Sequence, residues 1–280
     1  MTERYKRQSF LGRDSEDIIA STKIGLIGYG GGGSHIGQQL AHIGFKRLLI
    51  ADPDVVEESN LNRLVGATAD DVRLSTAKVD LAKRVIRGVL PDVTLNAEWK
   101  NWEDIIEELR TVDVLIGCVD SFAQRVALER FARRFLIPYI DIGMDVTEAE
   151  GDFSIFGQVV LSSPGHPCLR CLGIVDDLRL ENEERARQYG EAGSKPQVVW
   201  PNGVLASTAV GLAVGLVAPW HRLHQPVEYL EYDGNAGTIR RAPRLDLISA
   251  RGFACSHYKD DEVGDPMFAL RLQQRPTATA

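Results

Sequence analysis

The sequence predicts an α/β fold: a doubly wound, mostly parallel Rossmann-like sheet with antiparallel strands toward the C-terminus. Three observations carry this. Short apolar runs alternate with helix-length periodic segments over the first half of the chain. The run "KIGLIG" at 23–28 breaks into a glycine turn, "GYGGGG", and passes directly into "SHIGQQLAHIG". Beyond about Met144 the pattern changes, and "FSIFGQVVLS", "VEYLEYDG" and "TIRRAPRL" read as antiparallel strands.

The elements follow in order. "KIGLIG" is a buried parallel strand, the segment after it a helix, and "RLLIAD" (47–52) the next strand. Residues 77–90 have helical periodicity, with Val79, Leu81, Ala82, Val85, Ile86 and Leu90 apolar. "VTLNAEW" reads as a strand and "WEDIIEEL" as a short helix with acidic residues in its first turn. "VDVLIGC" (112–118) is a strand, "SFAQRVALERFARRF" a helix capped by Ser121, and "PYIDIGM" a further strand. A charged loop is expected over 176–195 and a helix of small residues near 203–217.

Composition narrows the function. Of 280 residues, 44% are hydrophobic and 25% charged, which allows a sizeable core. The net charge of −7 disfavours a broad nucleic-acid-binding face. The start, "MTERYKRQSF", lacks the apolar stretch of a signal peptide. No apolar run reaches the roughly 18 residues of a membrane span, and 203–219 reads as a buried helix. A cytoplasmic protein with four reduced or metal-bound cysteines is expected.

Gly28, Gly30 and Gly33 fit G-x-G-x-x-G, with Gly31 in the same turn, and Asp52 ends the next strand. Glycines let backbone approach a phosphate, the following helix N-terminus faces it, and the acid takes ribose hydroxyls. The fingerprint alone leaves a nicotinamide or flavin enzyme open. The next segment supplies Asp54, Asn60 and Arg63 in one loop and Lys78 at a helix start. Two cations beside the phosphates suit a nucleoside triphosphate, whose charge must be neutralised as pyrophosphate leaves. Asp120 follows another parallel strand, where it serves either as a helix cap or as a Mg²⁺ ligand facing the triphosphate.

"RYKRQ", "GYGGGG", "ADPDVVEESNLNR", the Lys78 helix start, "GCVDS" and "PCLRC" occur in one order over about residues 4–171. With these the chain resembles the ThiF/MoeB/HesA family, adenylating enzymes akin to ubiquitin activators. The resemblance implies ATP- and Mg²⁺-dependent adenylation of a carboxylate, usually the C-terminal glycine of a ubiquitin-like or sulfur-carrier protein. A downstream acceptor protein would then take the activated group. The resemblance also implies a homodimer in which Arg7 reaches the partner's ATP. It gives one adenylation domain over 1–270, with a nucleotide-binding half at about 20–145 and a substrate and zinc half at about 146–270. Residues 271–280 would be a disordered tail. In this scheme Asp120 holds Mg²⁺, Asp52 the ribose, Arg63 and Lys78 the phosphates, and Asn60 a phosphate or the loop itself. The attacking carboxylate is ionised at neutral pH and needs no general base. Adenylation of a peptide or of a modified nucleoside on tRNA is the alternative within this chemistry, and a nicotinamide-dependent dehydrogenase the one outside it.

Cys168 and Cys171 form half of a tetrahedral zinc site. Relatives complete it with a second Cys-x-x-Cys, but here Tyr258 stands where the fourth cysteine is expected. Cys255 and His257 are the remaining candidates, a three-thiolate, one-imidazole set; loss of the site is the other reading. Cys118 reads as core packing. No cysteine is left in "YGEAGSKPQVVWPNGVLAST" to form an internal thioester.

Overall fold

The computed structural model describes residues 2–188, 196–220, 227–250, 255–258 and 262–264. The expected tail at 271–280 lies outside the described residues, as does 189–195 of the expected charged loop. In chain order the elements are α1 (Ser15–Ser21), β1 (Lys23–Ile27), α2 (Gly31–Ile43), β2 (Arg47–Ala51), α3 (Ala69–Arg73) and α4 (Lys78–Val89). There follow β3 (Thr94–Glu98), α5 (Ile106–Leu109), β4 (Val114–Gly117), α6 (Phe122–Arg134), β5 (Tyr139–Ala149) and β6 (Asp152–Ser162). The last are α7 (Asp177–Gln188), α8 (Val199–Val217), β7 (Tyr229–Asp233), β8 (Thr238–Arg241) and α9 (Arg244–Ala250).

One eight-stranded sheet runs in the order β3-β2-β1-β4-β5-β6-β7-β8. The first five are mutually parallel, and β6, β7 and β8 add antiparallel. This is the predicted fold class. Strand order reverses between β1 and β4, the crevice where open α/β sheets bind ligands. One face of the sheet packs Ile24 and Leu26 against Ile36, Leu40, Leu81, Ile86 and Leu205 of α2, α4 and α8. The other packs Leu49 and Leu115 against Ile105, Leu109, Leu128 and Leu169. Both faces are thus covered, as a parallel sheet requires.

Three boundaries differ from expectation. Residues 177–188, read as loop, form α7, a charged helix with no buried residue and so no apolar stripe to announce it. Helix α8 begins at Val199 rather than near Gly203. Pro201 is tolerated there because the first-turn N–H groups have no intrahelical partner to lose. "TIRRAPRL" is not one strand: β8 stops at Arg241, and α9 starts just past Pro243, which cannot donate to a ladder. Helix α8 is long and apolar enough to cross a membrane, but Leu205, Ala206, Ala209, Val210 and Ala213 are buried in the core against α2 and β5.

Candidate active site

A cavity of about 700 Å³ opens at the β1/β4 crevice and extends along β5 and β6. Its floor is the glycine turn. Gly28 has φ +87°, and a Cβ on it would sit 2.6 Å from the Cys118 carbonyl oxygen, so only glycine fits. A Cβ at Gly33 would overlap the Gly28 carbonyl; this glycine lets α2 close on β1 and does not line the cavity. Gly30 meets nothing within 4 Å, while Gly31 lies against Asn202 of α8. The open space over Gly30, at the N-terminus of α2, is the room a phosphate needs.

Asp52 is buried, and its two oxygens accept from the Tyr29 N–H at 2.6 Å and the Asp54 N–H at 2.9 Å. Burial raises its carboxyl above the ordinary range, against the opposing pull of Lys78 and the two N–H groups. Its remaining lone pairs can accept from sugar hydroxyls. Lys78 Nζ lies 2.7 Å from Asp54 Oδ2 with its side chain mostly covered, whereas Asp54 is exposed. Arg63 donates to the Ser59 carbonyl at 2.6 Å and to Asn62 Oδ1 at 3.0 Å. Both cations line the cavity, as do Asp52, Asp54 and the exposed Asp120. Asn60 is not among the lining residues. Its Oδ1 accepts from the Glu57 N–H at 3.2 Å, within its own loop.

Arg7 is exposed and lies outside the cavity lining. Its neighbours are fixed to their own chain. Arg4 donates to the Val89 carbonyl, Gln8 Nε2 to the Ile43 carbonyl at 3.1 Å, and Tyr5 is buried. The N-terminal segment is therefore docked on α2 and α4 with Arg7 turned outward.

Sequence reasoning missed the wall that long-range packing builds. Arg125 of α6 and Asp141 of β5 form a buried ion pair, Nε to Oδ1 2.9 Å, and Tyr139 donates to Oδ1 at 3.0 Å. Gln158 of β6 accepts from Arg125 Nη2 at 2.7 Å and donates to the Gly143 carbonyl at 3.2 Å. Lys100, Phe156 and Arg179 line the same space. Glu183 of α7 accepts from the N–H groups of Phe122 at 3.0 Å and Ala123 at 2.9 Å, occupying the N-terminus of α6. The only local signal was Ser121, whose Oγ takes the Gln124 N–H as expected.

Beside the C-terminal half of α6, Cys168, Cys171, Cys255 and His257 bring their ligand atoms within 4.8 Å of one another. Cys168 Sγ lies 3.5 Å from Cys171 Sγ and 3.4 Å from His257 Nδ1; Cys171 Sγ lies 3.3 Å from Nδ1 and 3.7 Å from Cys255 Sγ. Tetrahedral Zn–S bonds near ~2.3 Å and Zn–N bonds near ~2.0 Å need S···S and S···N separations of about 3.8 and 3.5 Å, within a few tenths of an ångström of these, so this donor set can hold zinc. Burial and Arg170 push the His257 imidazole down, toward the neutral form that ligates. Burial raises the Cys168 and Cys171 thiols, which a bound dication reverses. Cys118, expected as core packing, is half-buried against the core and lines the cavity, where desolvation raises its thiol strongly.

A glycine turn, two cations and an acid at the switch point of a doubly wound sheet define a Rossmann-like α/β protein. The chain belongs to the ThiF family, whose model matches residues 4–248. It is 30% identical over 175 residues to the SAMP-activating enzyme E1 of Haloferax volcanii, covering 61% of each chain. It is 30% identical to the sulfur carrier protein ThiS adenylyltransferase of Bacillus subtilis, covering 61% of this chain and 51% of that one. The matches thus span between half and two thirds of these two relatives. Against the sulfur carrier protein adenylyltransferase of Thermus thermophilus the identity is 26%, covering 88% of this chain and 90% of that one. Escherichia coli MccB, solved with AMPCPP and MccA, shares the fold with a TM-score of 0.70 at 20% identity, over 87% of this chain and 73% of MccB.

Proposed function

We propose that this protein adenylates the C-terminal carboxylate of a ubiquitin-like or sulfur-carrier protein. The observation that carries this is the joining of two spaces in one cavity. The glycine-floored part with Lys78, Arg63 and Asp120 is continuous with a part lined by Gly143, Gln158, Phe156 and Arg179. The first suits a triphosphate and the second an extended chain end. The naming of the curated relatives supports the same reading.

The chemistry follows from charge. A carboxylate oxygen bonds to the α-phosphorus, the bond to the bridging oxygen breaks, and pyrophosphate leaves with that electron pair. Charge leaves the attacking carboxylate and builds on the departing pyrophosphate, so fixed cations at the phosphates stabilise the transition state more than the ground state. Lys78 and Arg63 serve in this, with Arg7 contributed by the partner of a homodimer. Asp52 takes the ribose hydroxyls. The exposed Asp120 carboxylate beside the phosphate space is a donor suited to Mg²⁺, which supplies charge neutralisation on the phosphate oxygens.

Cys168, Cys171, Cys255 and His257 hold a structural zinc in this proposal. The activated carboxyl then passes to a downstream acceptor rather than to a thiol of this chain. Three cysteines gather in the knuckle, and desolvation raises the thiol of the fourth, Cys118, a weaker nucleophile for it.

The test is pyrophosphate release from MgATP in the presence of ubiquitin-fold proteins ending in Gly-Gly, each compared with its form lacking the last glycine. Release that requires the terminal glycine is expected. Greater thermal stabilisation by NAD than by MgATP, with no release, overturns the reading.

A further inference from the structure

Glu129 is the single carboxylate of α6, fully shielded from solvent, and the reaction above has no use for it. A buried carboxylate persists only where hydrogen bonds and a counter-charge offset its desolvation. Its partners are specific. Oε1 accepts from Ser162 Oγ at 2.5 Å and from the Leu169 N–H at 2.9 Å, and Oε2 accepts from the Tyr258 hydroxyl at 2.8 Å. Leu169 directly follows Cys168, and Tyr258 directly follows His257. One side chain therefore ties down both segments that carry the metal ligands, although Cys168 and His257 are 89 positions apart.

Arg133, one helical turn on, completes the clamp. Its Nε lies 3.8 Å from Glu129 Oε1. Its Nη2 donates to Ser162 Oγ at 2.8 Å and to the carbonyls of His166 at 3.0 Å and Pro167 at 3.2 Å, just ahead of Cys168. The guanidinium also stacks over the Tyr258 ring at 5.0 Å. Tyr258 thus occupies the place of an expected fourth thiolate while its phenol reaches inward to the helix.

We propose that Glu129 and Tyr258 are positioning residues of the Cys168–Cys171–Cys255–His257 knuckle, preorganising two distant chain segments for the metal. This rests on the zinc reading above. Neither residue touches the ion; each acts through the backbone of the adjacent ligand. Without the clamp, metal binding would itself have to order the second segment, which lowers affinity.

The experiment measures zinc affinity by competition with a chromogenic chelator, and the Co²⁺ absorption spectrum, for the wild type, Tyr258→Phe and Glu129→Gln. Tyr258→Phe keeps the ring over Arg133 and removes only the hydroxyl. The expected result is zinc affinity lower by about 10–100-fold in both variants, the usual effect of losing outer-shell support. The Co²⁺ bands should retain the three-thiolate, one-nitrogen pattern, and MgATP stabilisation should be unchanged. If Glu129→Gln does not fold, Tyr258→Phe decides alone. Wild-type zinc affinity in Tyr258→Phe overturns the clamp and leaves the zinc reading intact. A wild-type protein that takes up neither Zn²⁺ nor Co²⁺ overturns the zinc reading, and the clamp with it.

Discussion

Helix α6 serves two sites by different means. Its N-terminus begins just past Asp120, at the cavity, where the candidate residues sit at carboxyl ends of parallel strands and in the loops that follow them. Its C-terminal half holds the knuckle, assembled from segments such as Cys171 and Cys255 that are 84 positions apart. The phosphate end of the cavity is set by a turn only glycine can make and an acid fixed by two N–H groups, whereas its far wall comes from remote positions. The knuckle is set by long-range contacts to one buried ion pair. Loss of a cavity-facing side chain at the first should therefore remove chemistry and spare the fold, and damage at the second should do the reverse.

The largest expected effects lie at the cavity. Lys78→Ala and Arg63→Ala should each lower ATP–pyrophosphate exchange by roughly 10²–10³-fold, because each removes a cation from a site of developing charge. Their melting temperatures should stay close to wild type, since these side chains face the cavity rather than the core. A matching loss of stability would erase the distinction between the two regions. Arg7 sharpens the cavity side. Mixing inactive Arg7→Ala with inactive Asp120→Ala should restore at most about a quarter of wild-type activity through heterodimers, given two-fold symmetry. No recovery despite proven subunit exchange would place Arg7 outside the partner's site.

Gly28→Ala probes the turn itself. Its positive φ and the 2.6 Å approach to the Cys118 carbonyl make alanine costly, on the order of 1–3 kcal/mol of backbone strain. Urea unfolding should show this loss alongside weakened ATP binding, because here fold and site share one turn.

The helix that leads from the cavity loop offers a pH test. The guanidinium of Arg84 holds the Asp71 carboxyl well below the ordinary range. A depressed native pKa stabilises the fold above the unfolded value near ~4 and loses that contribution as pH falls through the native value. Asp71→Asn should thus lower stability at neutral pH, and the gap to wild type should narrow in acid. The smallest effect concerns α7. Glu183→Ala removes the carboxylate from the α6 N-terminus and should cost about 0.5–2 kcal/mol, read as faster proteolysis within α7. Unchanged cleavage would mean that other contacts hold this helix.

The parallel half was largely legible in the sequence because its signals are local. Strand runs, the glycine turn, the Ser121 cap and the cations after Asp52 all lie within a few residues of what they organise. Helix α7 was not legible, since a helix with charged residues on every side lacks the apolar stripe that periodicity detects. Asn202 against Gly31, and Gln158 against Arg125, come from positions remote in sequence that only the sheet order brings together. His257 could be named as a fourth metal ligand from spacing. The reason for Tyr258 became visible only with Glu129 beneath it.

The most direct measurement is ATP–pyrophosphate exchange driven by a ubiquitin-fold protein ending in Gly-Gly, compared between the wild type and Asp120→Ala. The account predicts exchange that requires the free C-terminal carboxylate and falls about 10²–10³-fold or more in a folded Asp120→Ala protein. Near-normal exchange in that variant, or exchange indifferent to an amidated C-terminus, would contradict it.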